Sequence, residues 1–459
     1  MPHTKRNKHI LVVIFGATGD LTARKLLPAL TNLYSEDFLP ENSRVIALGR
    51  RDFTTSSYID FVKSKNSKVG NLDLLQDFLM YKKIDILNDN DYEDLKVTLD
   101  EISHEDTLRL FYLAVAPDLF IPIANSLASH HVAVKNNHHY LLAFEKPFGK
   151  DLESAKNINQ TLRTSFGEKQ IFRIDHYLGK EMIQNLLTVR FANRIVESSW
   201  NNEDIEMVKI YAKEDESILD RGAYYDENGA LRDVIQNHLL QIVSLIGVET
   251  PLSLKSEDIK AQKVKVLQNI RVDYEASLLG QYEGYSREKH VKPGSTTETL
   301  AFIKLYVDTP LFSGVPFYLY TGKMLDEKRA SIEIVFKKTK LQERQKIKGA
   351  ADKLIIDISP ESSVKLVING KEPGFEHKLS QVGLEYCYSC QFPNNVKEAY
   401  EKLFIDMFKN SKTLFTRWDE IELAWKVIDD IKEHVKMMIT YKDHEQVMER
   451  IRLLNHENL

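Results

Sequence analysis

A continuous apolar run, Ile10–Phe15, stops at Gly16-Ala17-Thr18-Gly19-Asp20-Leu21, and Leu26, Leu27, Leu30 and Leu33 then recur at helical spacing. No other stretch restricts the fold as much. An unbroken apolar strand must be buried on both faces, as in a parallel sheet covered by helices. Glycines between such a strand and a helix let the backbone turn tightly and approach a pyrophosphate, which then meets free N–H groups at the helix N-terminus. The turn is not a full G-x-G-x-x-G, since Thr18 and Leu21 stand at the later glycine positions. Its place after the first strand supports a dinucleotide site contacted by Gly16, Thr18, Gly19, Asp20 and Leu21.

The alternation continues. Val45–Leu48 reads as a second strand, Tyr58–Ser64 as a helix, and Leu108–Val115 and Tyr140–Phe144 as strands flanking a helical stretch, Leu119–Ser129. This predicts an α/β, Rossmann-like dinucleotide-binding domain over 1–174. Beyond it lie helical segments at 180–192 and 229–246. Apolar residues then recur at every second position through Thr297–Val307, Val315–Tyr320, Ala330–Lys337 and Asp352–Asn369. Such alternation predicts antiparallel strands. Helix returns near the C-terminus, where Trp418, Leu423 and Trp425 lie among charges. The second domain, 175–459, is therefore expected to be a larger α+β unit with a mainly antiparallel sheet. A chain of 459 residues is too long for one core.

Charge and cysteine content narrow the function. The net charge of −5 sums 62 basic and 67 acidic residues, so no overall field draws in nucleic acid, and any anion site must be local. Lys5, Arg6 and Lys8 precede an apolar run too short for a signal-peptide core, and no stretch reaches the ~18 apolar residues of a membrane span. With two cysteines, Cys387 and Cys390, a disulfide framework is excluded and a reducing cytoplasm is expected. Their C-x-x-C sits in a strand-like segment where positions three apart face opposite ways, against a redox or zinc pair. After the second strand comes Gly49-Arg50-Arg51, with no carboxylate expected at that corner. An acid there would suit the ribose 2′-hydroxyl of NAD; arginine suits the 2′-phosphate of NADP. NADP is the expected cofactor, with NAD as the weaker alternative.

Three further segments are Glu145-Lys146-Pro147-Phe148-Gly149, Arg173-Ile174-Asp175-His176-Tyr177-Leu178-Gly179-Lys180-Glu181 and Gln236-Asn237-His238. In this order after the glycine turn, they resemble the glucose-6-phosphate dehydrogenase family. The resemblance runs through nearly the whole chain, including Arg190-Phe191-Ala192-Asn193, Gly222-Ala223-Tyr224-Tyr225-Asp226 and Gly322-Lys323-Met324-Leu325. The nine-residue block from Arg173 is the most specific; Glu-Lys-Pro also occurs in other sugar oxidoreductases.

That resemblance implies oxidation of glucose 6-phosphate at C1 and a set of site residues. His176, Tyr177 and Lys180 crowd a helix start, where the dipole and unpaired N–H groups favour an anion, and the family assigns them to the 6-phosphate. The family's base falls on His238, a residue type whose pKa lies near working pH, and its orienting carboxylate on Asp175. On an α-helical wheel His238 faces mainly apolar neighbours, as a core histidine does. Lys146 is aimed at the sugar by Pro147, which makes a cis bond accessible, and Glu145 towards the cofactor. Glu214 and Asp233 correspond to hydroxyl acceptors, Lys323 and Lys328 to basic positions near ring and phosphate. Asp233 and His238, five apart, are about 140° apart on an α-helix, implying separate roles. Arg50, Asp85, Ile86 and Lys146 join the cofactor contacts. Thr18 and Thr22 replace smaller residues of many relatives. A homodimer, or a dimer of dimers, through the second domain's sheet is implied, and no metal is expected; the residues that hold a second, structural NADP in some relatives are not matched in the C-terminal third, and that site is not predicted. Two other readings compete. An oxidoreductase of an unphosphorylated sugar or inositol has no use for the His176-Tyr177-Lys180 cluster, and a silent NADP sensor none for His238, Asp175 and Lys146 together.

Overall fold

The computed structural model describes residues 9–66, 72–345, 349–375, 378–392 and 397–455; Lys5, Arg6 and Lys8 lie outside them. The chain divides into two compact units, Met1–Gly179 with Lys397–Trp418, and Lys180–Val396 with Asp419–Leu459.

In the first unit β1 (His9–Phe15), β2 (Arg44–Gly49), β3 (Leu79–Lys83), β4 (Thr107–Leu113), β5 (Tyr140–Glu145) and β6 (Ile171–Ile174) form one sheet in the order β3-β2-β1-β4-β5-β6. Every pairing is parallel. This is the doubly wound Rossmann order, and its ligand crevice lies beyond the strand carboxyl ends where the order reverses, between β1 and β4. All seven residues of β1 are buried, as its unbroken apolar run requires. The sequence pattern did not reveal β3 or β6. The edge strand β3 mixes buried Leu79 and Tyr81 with exposed Met80 and Lys83, and β6 has only four residues.

The boundary expected at 174 moves. The first unit extends to Gly179 and recruits Lys397–Trp418, which sequence reading assigned to the second domain. Packing explains the transfer. Leu403, Phe404, Met407 and Phe415 are buried in the same core as Ile14, Leu30, Tyr112 and Ile174. Asn32 Nδ2 donates to Glu401 Oε1 at 2.8 Å, and Lys412 Nζ donates to the Ile171 carbonyl at 2.7 Å. An amphipathic pattern shows that a helix has an apolar face, not which core receives it.

The second unit's strands are β7 (Ile205–Lys213), β8 (Ile270–Tyr282), β9 (Leu300–Val307), β10 (Pro316–Gly322), β11 (Arg329–Phe336), β12 (Lys353–Ser359), β13 (Ser363–Lys371), β14 (Leu379–Cys387) and β15 (Met438–Tyr441). They form a sheet in the order β14-β13-β12-β11-β7-β10-β9-β8-β15, antiparallel except for β7–β10 and β8–β15. The alternating segments Thr297–Val307, Val315–Tyr320 and Ala330–Lys337 supply β9, β10 and β11, as expected, whereas Asp352–Asn369, read as one continuing run, turns back on itself as the antiparallel pair β12 and β13. A register shift between Asp273 and Leu278 interrupts β8, which hid its period in the sequence. Between β7 and β8 runs a long composite helix, Gly222–Ala230, Leu231–Leu239 and Leu240–Gly247. It breaks at Gly229, where φ is 65° and a Cβ would lie 2.4 Å from the Glu298 carboxylate.

The cysteine reading is overturned. The strand ends at Cys387, Tyr388–Gln391 form a helical turn, and the sulfurs of Cys387 and Cys390 are bonded, with Cα atoms 5.3 Å apart. The cysteines therefore give no support to a reducing compartment. Among the described residues no helix is long and apolar enough to cross a membrane.

Candidate active site

In the first unit the glycine turn runs tight against its neighbours. Gly16 has φ of 92°, and a Cβ there would meet the Ala114 carbonyl oxygen at 2.2 Å. Only glycine fits. The Gly16 and Ala17 N–H groups donate to the Leu48 carbonyl at 3.1 and 2.9 Å, and Thr22 Oγ1 donates to the Gly16 carbonyl at 3.0 Å. Tyr58 adds a hydroxyl bond to the Ala17 carbonyl at 2.7 Å, tying the turn to the helix Thr55–Lys65 that follows β2. Thr18, Gly19 and Leu21 are part-buried in this turn, whereas Asp20 is exposed and pairs with Lys65 at 3.4 Å and Arg24 at 3.8 Å.

The corner expected to meet the ribose lies at the ends of β2 and β3. A cavity of about 520 Å³ elsewhere is larger, but the one here, about 460 Å³, is lined by Arg50, Lys82, Lys83, Ile84, Asp85, Asp91 and Asp94. It brings the expected contacts Arg50 and Asp85 together. Among the described residues the exposed Arg50 guanidinium makes no hydrogen bond or ion pair. Arg51 instead holds its guanidinium 5.7 Å from the Phe61 ring centre. The expectation of a corner without carboxylates is corrected, since three aspartates line the cavity. The sequence could not show this, because β3 went unseen and with it the return of Asp85–Asp94 to the tip of β2. Ile86 follows one residue beyond the lining and accepts the Tyr92 hydroxyl bond on its carbonyl at 3.0 Å.

Glu145 ends β5, and the Lys146–Pro147 bond after it is cis. The Glu145 Oε1 atom accepts hydrogen bonds from Tyr112 at 2.6 Å and Tyr400 at 3.0 Å. Burial pushes its carboxyl up to about 7, opposed by both hydroxyls and by Lys146, and assisted by Asp175. Because this pKa is raised on folding, its contribution to stability is full below about 4.5 and is lost as pH rises towards 7. A phenol donating to the carboxylate favours the ionised form. Tyr400→Phe should therefore move the Glu145 inflection above 7, read by carbon-13 NMR of its labelled carboxyl. An inflection at or below its starting value would show that Tyr400 does not hold the charge. Neither tyrosine was found from sequence. Tyr400 lies 255 residues from Glu145 in the chain, and no local pattern links them.

After β6 the backbone makes the turn that carries Asp175, His176 and Tyr177. Asp175 is 1% exposed; its Oδ1 accepts the Tyr177 N–H at 2.9 Å and its carbonyl accepts the Leu178 N–H at 3.1 Å. The His176 and Tyr177 rings stand edge to face, 5.2 Å apart. Arg173 has a structural role, its guanidinium being clamped by Glu168 at 2.7 and 3.0 Å and by Asn159 at 2.6 Å.

The second unit contributes its own set. Lys180 is the N-cap of the helix Glu181–Phe191, confirming the helix start expected there. Lys323 is buried, and its Nζ donates to Glu214 Oε2 at 2.5 Å and lies 5.6 Å from the Tyr225 ring centre. A buried ammonium persists only with such a partner. Lys328 is not part of this pair; it is exposed, 3.9 Å from Glu216. Asp233 accepts the Tyr224 hydroxyl at 3.0 Å, a partner the sequence block contained without revealing.

His238 and Asp233 are both buried on Leu231–Leu239, which is a π-helix. There the hydrogen bonds run from i to i+5, so residues five apart stack along one side. The 140° separation assumed an α-helix, and the argument for separate roles falls with it.

Family models give this geometry a context. The glucose-6-phosphate dehydrogenase NAD binding domain matches residues 13–185, and the glucose-6-phosphate dehydrogenase C-terminal domain matches 187–456. Glucose-6-phosphate 1-dehydrogenase of Bacillus subtilis (strain 168) is 38% identical over 455 residues, covering 94% of this chain and 92% of its own. That of Streptococcus pneumoniae serotype 4 is 37% identical over 449 residues, covering 92% and 90%. A solved glucose-6-phosphate dehydrogenase in complex with its substrate glucose-6-phosphate matches with a TM-score of 0.89 at 30% identity, over 100% of both chains. The doubly wound unit, the mainly antiparallel second sheet and these full-length matches agree: the chain belongs to the glucose-6-phosphate dehydrogenase family.

Proposed function

We propose that this chain oxidises D-glucose 6-phosphate at C1 to 6-phosphogluconolactone with NADP, the first step of the oxidative pentose phosphate pathway. The full-length likeness to a dehydrogenase solved with glucose-6-phosphate carries this reading. When bound, the nicotinamide supplies the hydride acceptor. The chain supplies the rest. Its glycine-only turn suits a pyrophosphate, and Arg50, without a partner among the described residues, suits a 2′-phosphate. In this reading His238 takes the C1 hydroxyl proton and Asp175 fixes its tautomer. Lys146, Glu214, Asp233 and Lys323 hold the sugar, with Lys328 at the periphery. The direct test follows reduced-cofactor absorbance after adding glucose 6-phosphate with NADP or NAD, with glucose as control. Equal turnover of glucose would defeat the reading.

His176, Tyr177 and Lys180 are assigned to the 6-phosphate. Lys180 at its helix start motivates a second test. Removing one charge-assisted contact costs about 1.5–3 kcal/mol, roughly tenfold to hundredfold in affinity. Lys180→Ala should thus weaken glucose 6-phosphate binding by that factor while NADP titrates as before. A loss on the NADP side would mean the wrong ligand has been assigned.

A homodimer, or a dimer of dimers, fits the outer strand of the second sheet. On β14, Val382, Leu384 and Tyr386 alternate, and all three are exposed. Such an apolar row suits burial against another sheet.

A further inference from the structure

We infer that Lys83 is a second specificity residue for the nicotinamide cofactor, sharing the 2′-phosphate with Arg50; this rests on the NADP reading above. The fold sets the two side by side. Strands β2 and β3 pair in parallel with Gly49 opposite Lys83, and the Ile84 N–H donates to the Gly49 carbonyl at 3.0 Å. Arg50 follows Gly49 directly, and both Arg50 and Lys83 line the cavity of about 460 Å³.

Charge arithmetic asks for a second cation. A phosphate monoester carries about −1.5 to −2 near neutral pH, more than one guanidinium neutralises. Arg51, its neighbour in sequence, is directed to the Phe61 ring instead and is absent from the cavity lining. Lys82, also in the lining, donates its Nζ to Thr98 Oγ1 at 3.0 Å. Lys83 at present faces Asp52 Oδ1 at 2.7 Å, with side chains 57% and 86% exposed. Exposed ion pairs contribute little and are readily exchanged. A phosphate offers Lys83 a stronger, doubly charged partner, and Asp52 can return to water at small cost. With NAD no such exchange occurs, and Lys83 stays on Asp52.

The test compares four forms of the full chain: the parent, Arg50→Ala, Lys83→Ala and Lys83→Arg. Each is measured for kcat/KM with NADP and NAD, and for inhibition by 2′,5′-ADP and 5′-AMP. Lys83 is exposed, so its replacement leaves the fold intact. Lys83→Ala should lose about tenfold with NADP and 2′,5′-ADP, and less than about twofold with NAD and 5′-AMP. Lys83→Arg should keep most of the preference. If Arg50→Ala loses the preference while Lys83→Ala keeps it, the inference fails and the NADP reading stands. If Lys83→Ala weakens all four ligands alike, the lysine supports the adenosine generally and the inference also fails. A parent that does not distinguish NADP from NAD overturns both.

Discussion

His238→Ala should lower turnover by a factor on the order of 10²–10⁴, the range for loss of a general base. Binding of glucose 6-phosphate should change far less. The residue is 3% exposed on a π-helical segment, and its assigned role is confined to the transition state. Loss of an interaction made only there lowers kcat and kcat/KM together and leaves KM in place. On the proposed assignment Asp175→Asn should also be slow, since it keeps the side-chain shape but removes the charge assigned to stabilise an imidazolium. The two substitutions together should cost about as much as the worse one, because groups acting as a unit are not additive. Near-parent turnover in His238→Ala would remove it from the role of base, whatever happened to stability.

Phe404→Ala should cost about 3–5 kcal/mol, a large share of the ~5–15 kcal/mol that holds a typical domain. Phe404 is 0% exposed, with the Tyr112 ring 5.7 Å and the Phe408 ring 5.8 Å away, centre to centre. Truncation leaves a cavity beside β4 that a close-packed interior cannot refill. Native-state hydrogen exchange locates the damage. Protection should fall in β1 and β4, while β9 and β10 keep theirs, although Phe404 lies closer in sequence to the latter. Loss confined to β9 and β10 would return Lys397–Trp418 to the second unit. Excess NADP should restore part of the protection, since a ligand of the folded form stabilises it by mass action.

The sequence was informative where one element answered to one physical demand. A strand buried on both faces reads as the run Ile10–Phe15, and a tight turn against the Ala114 carbonyl reads as Gly16. The helix start at Lys180 was legible for the same reason, whereas Pro147 showed only that a cis bond was accessible. What escaped depends on pairs distant in the chain or on irregular geometry. Tyr400 reaches Glu145 across 255 positions, and Asp91 and Asp94 enter the Arg50 cavity only because β3 pairs with β2. The π-form of Leu231–Leu239 altered which side chains share a face, without leaving a mark in the residue pattern. Cys387 and Cys390 met because the strand stopped at the first of them instead of running on through the second.

The return of Lys397–Trp418 to the first unit has a bearing on how the polypeptide is made. On the ribosome, β1 to β6 are complete once Gly179 has emerged, yet Phe404 and its neighbours are still to be translated. At about 5–20 residues per second, the nascent dinucleotide unit waits on the order of 10–40 s with part of its apolar core open. The second unit is largely translated during that interval. Exposed apolar surface of this kind attracts chaperones and invites misassembly. Vectorial synthesis therefore leaves the first unit to be extruded early and closed late, so that a ribosome stalled before Lys397 carries a nucleotide-binding fold without its final helix.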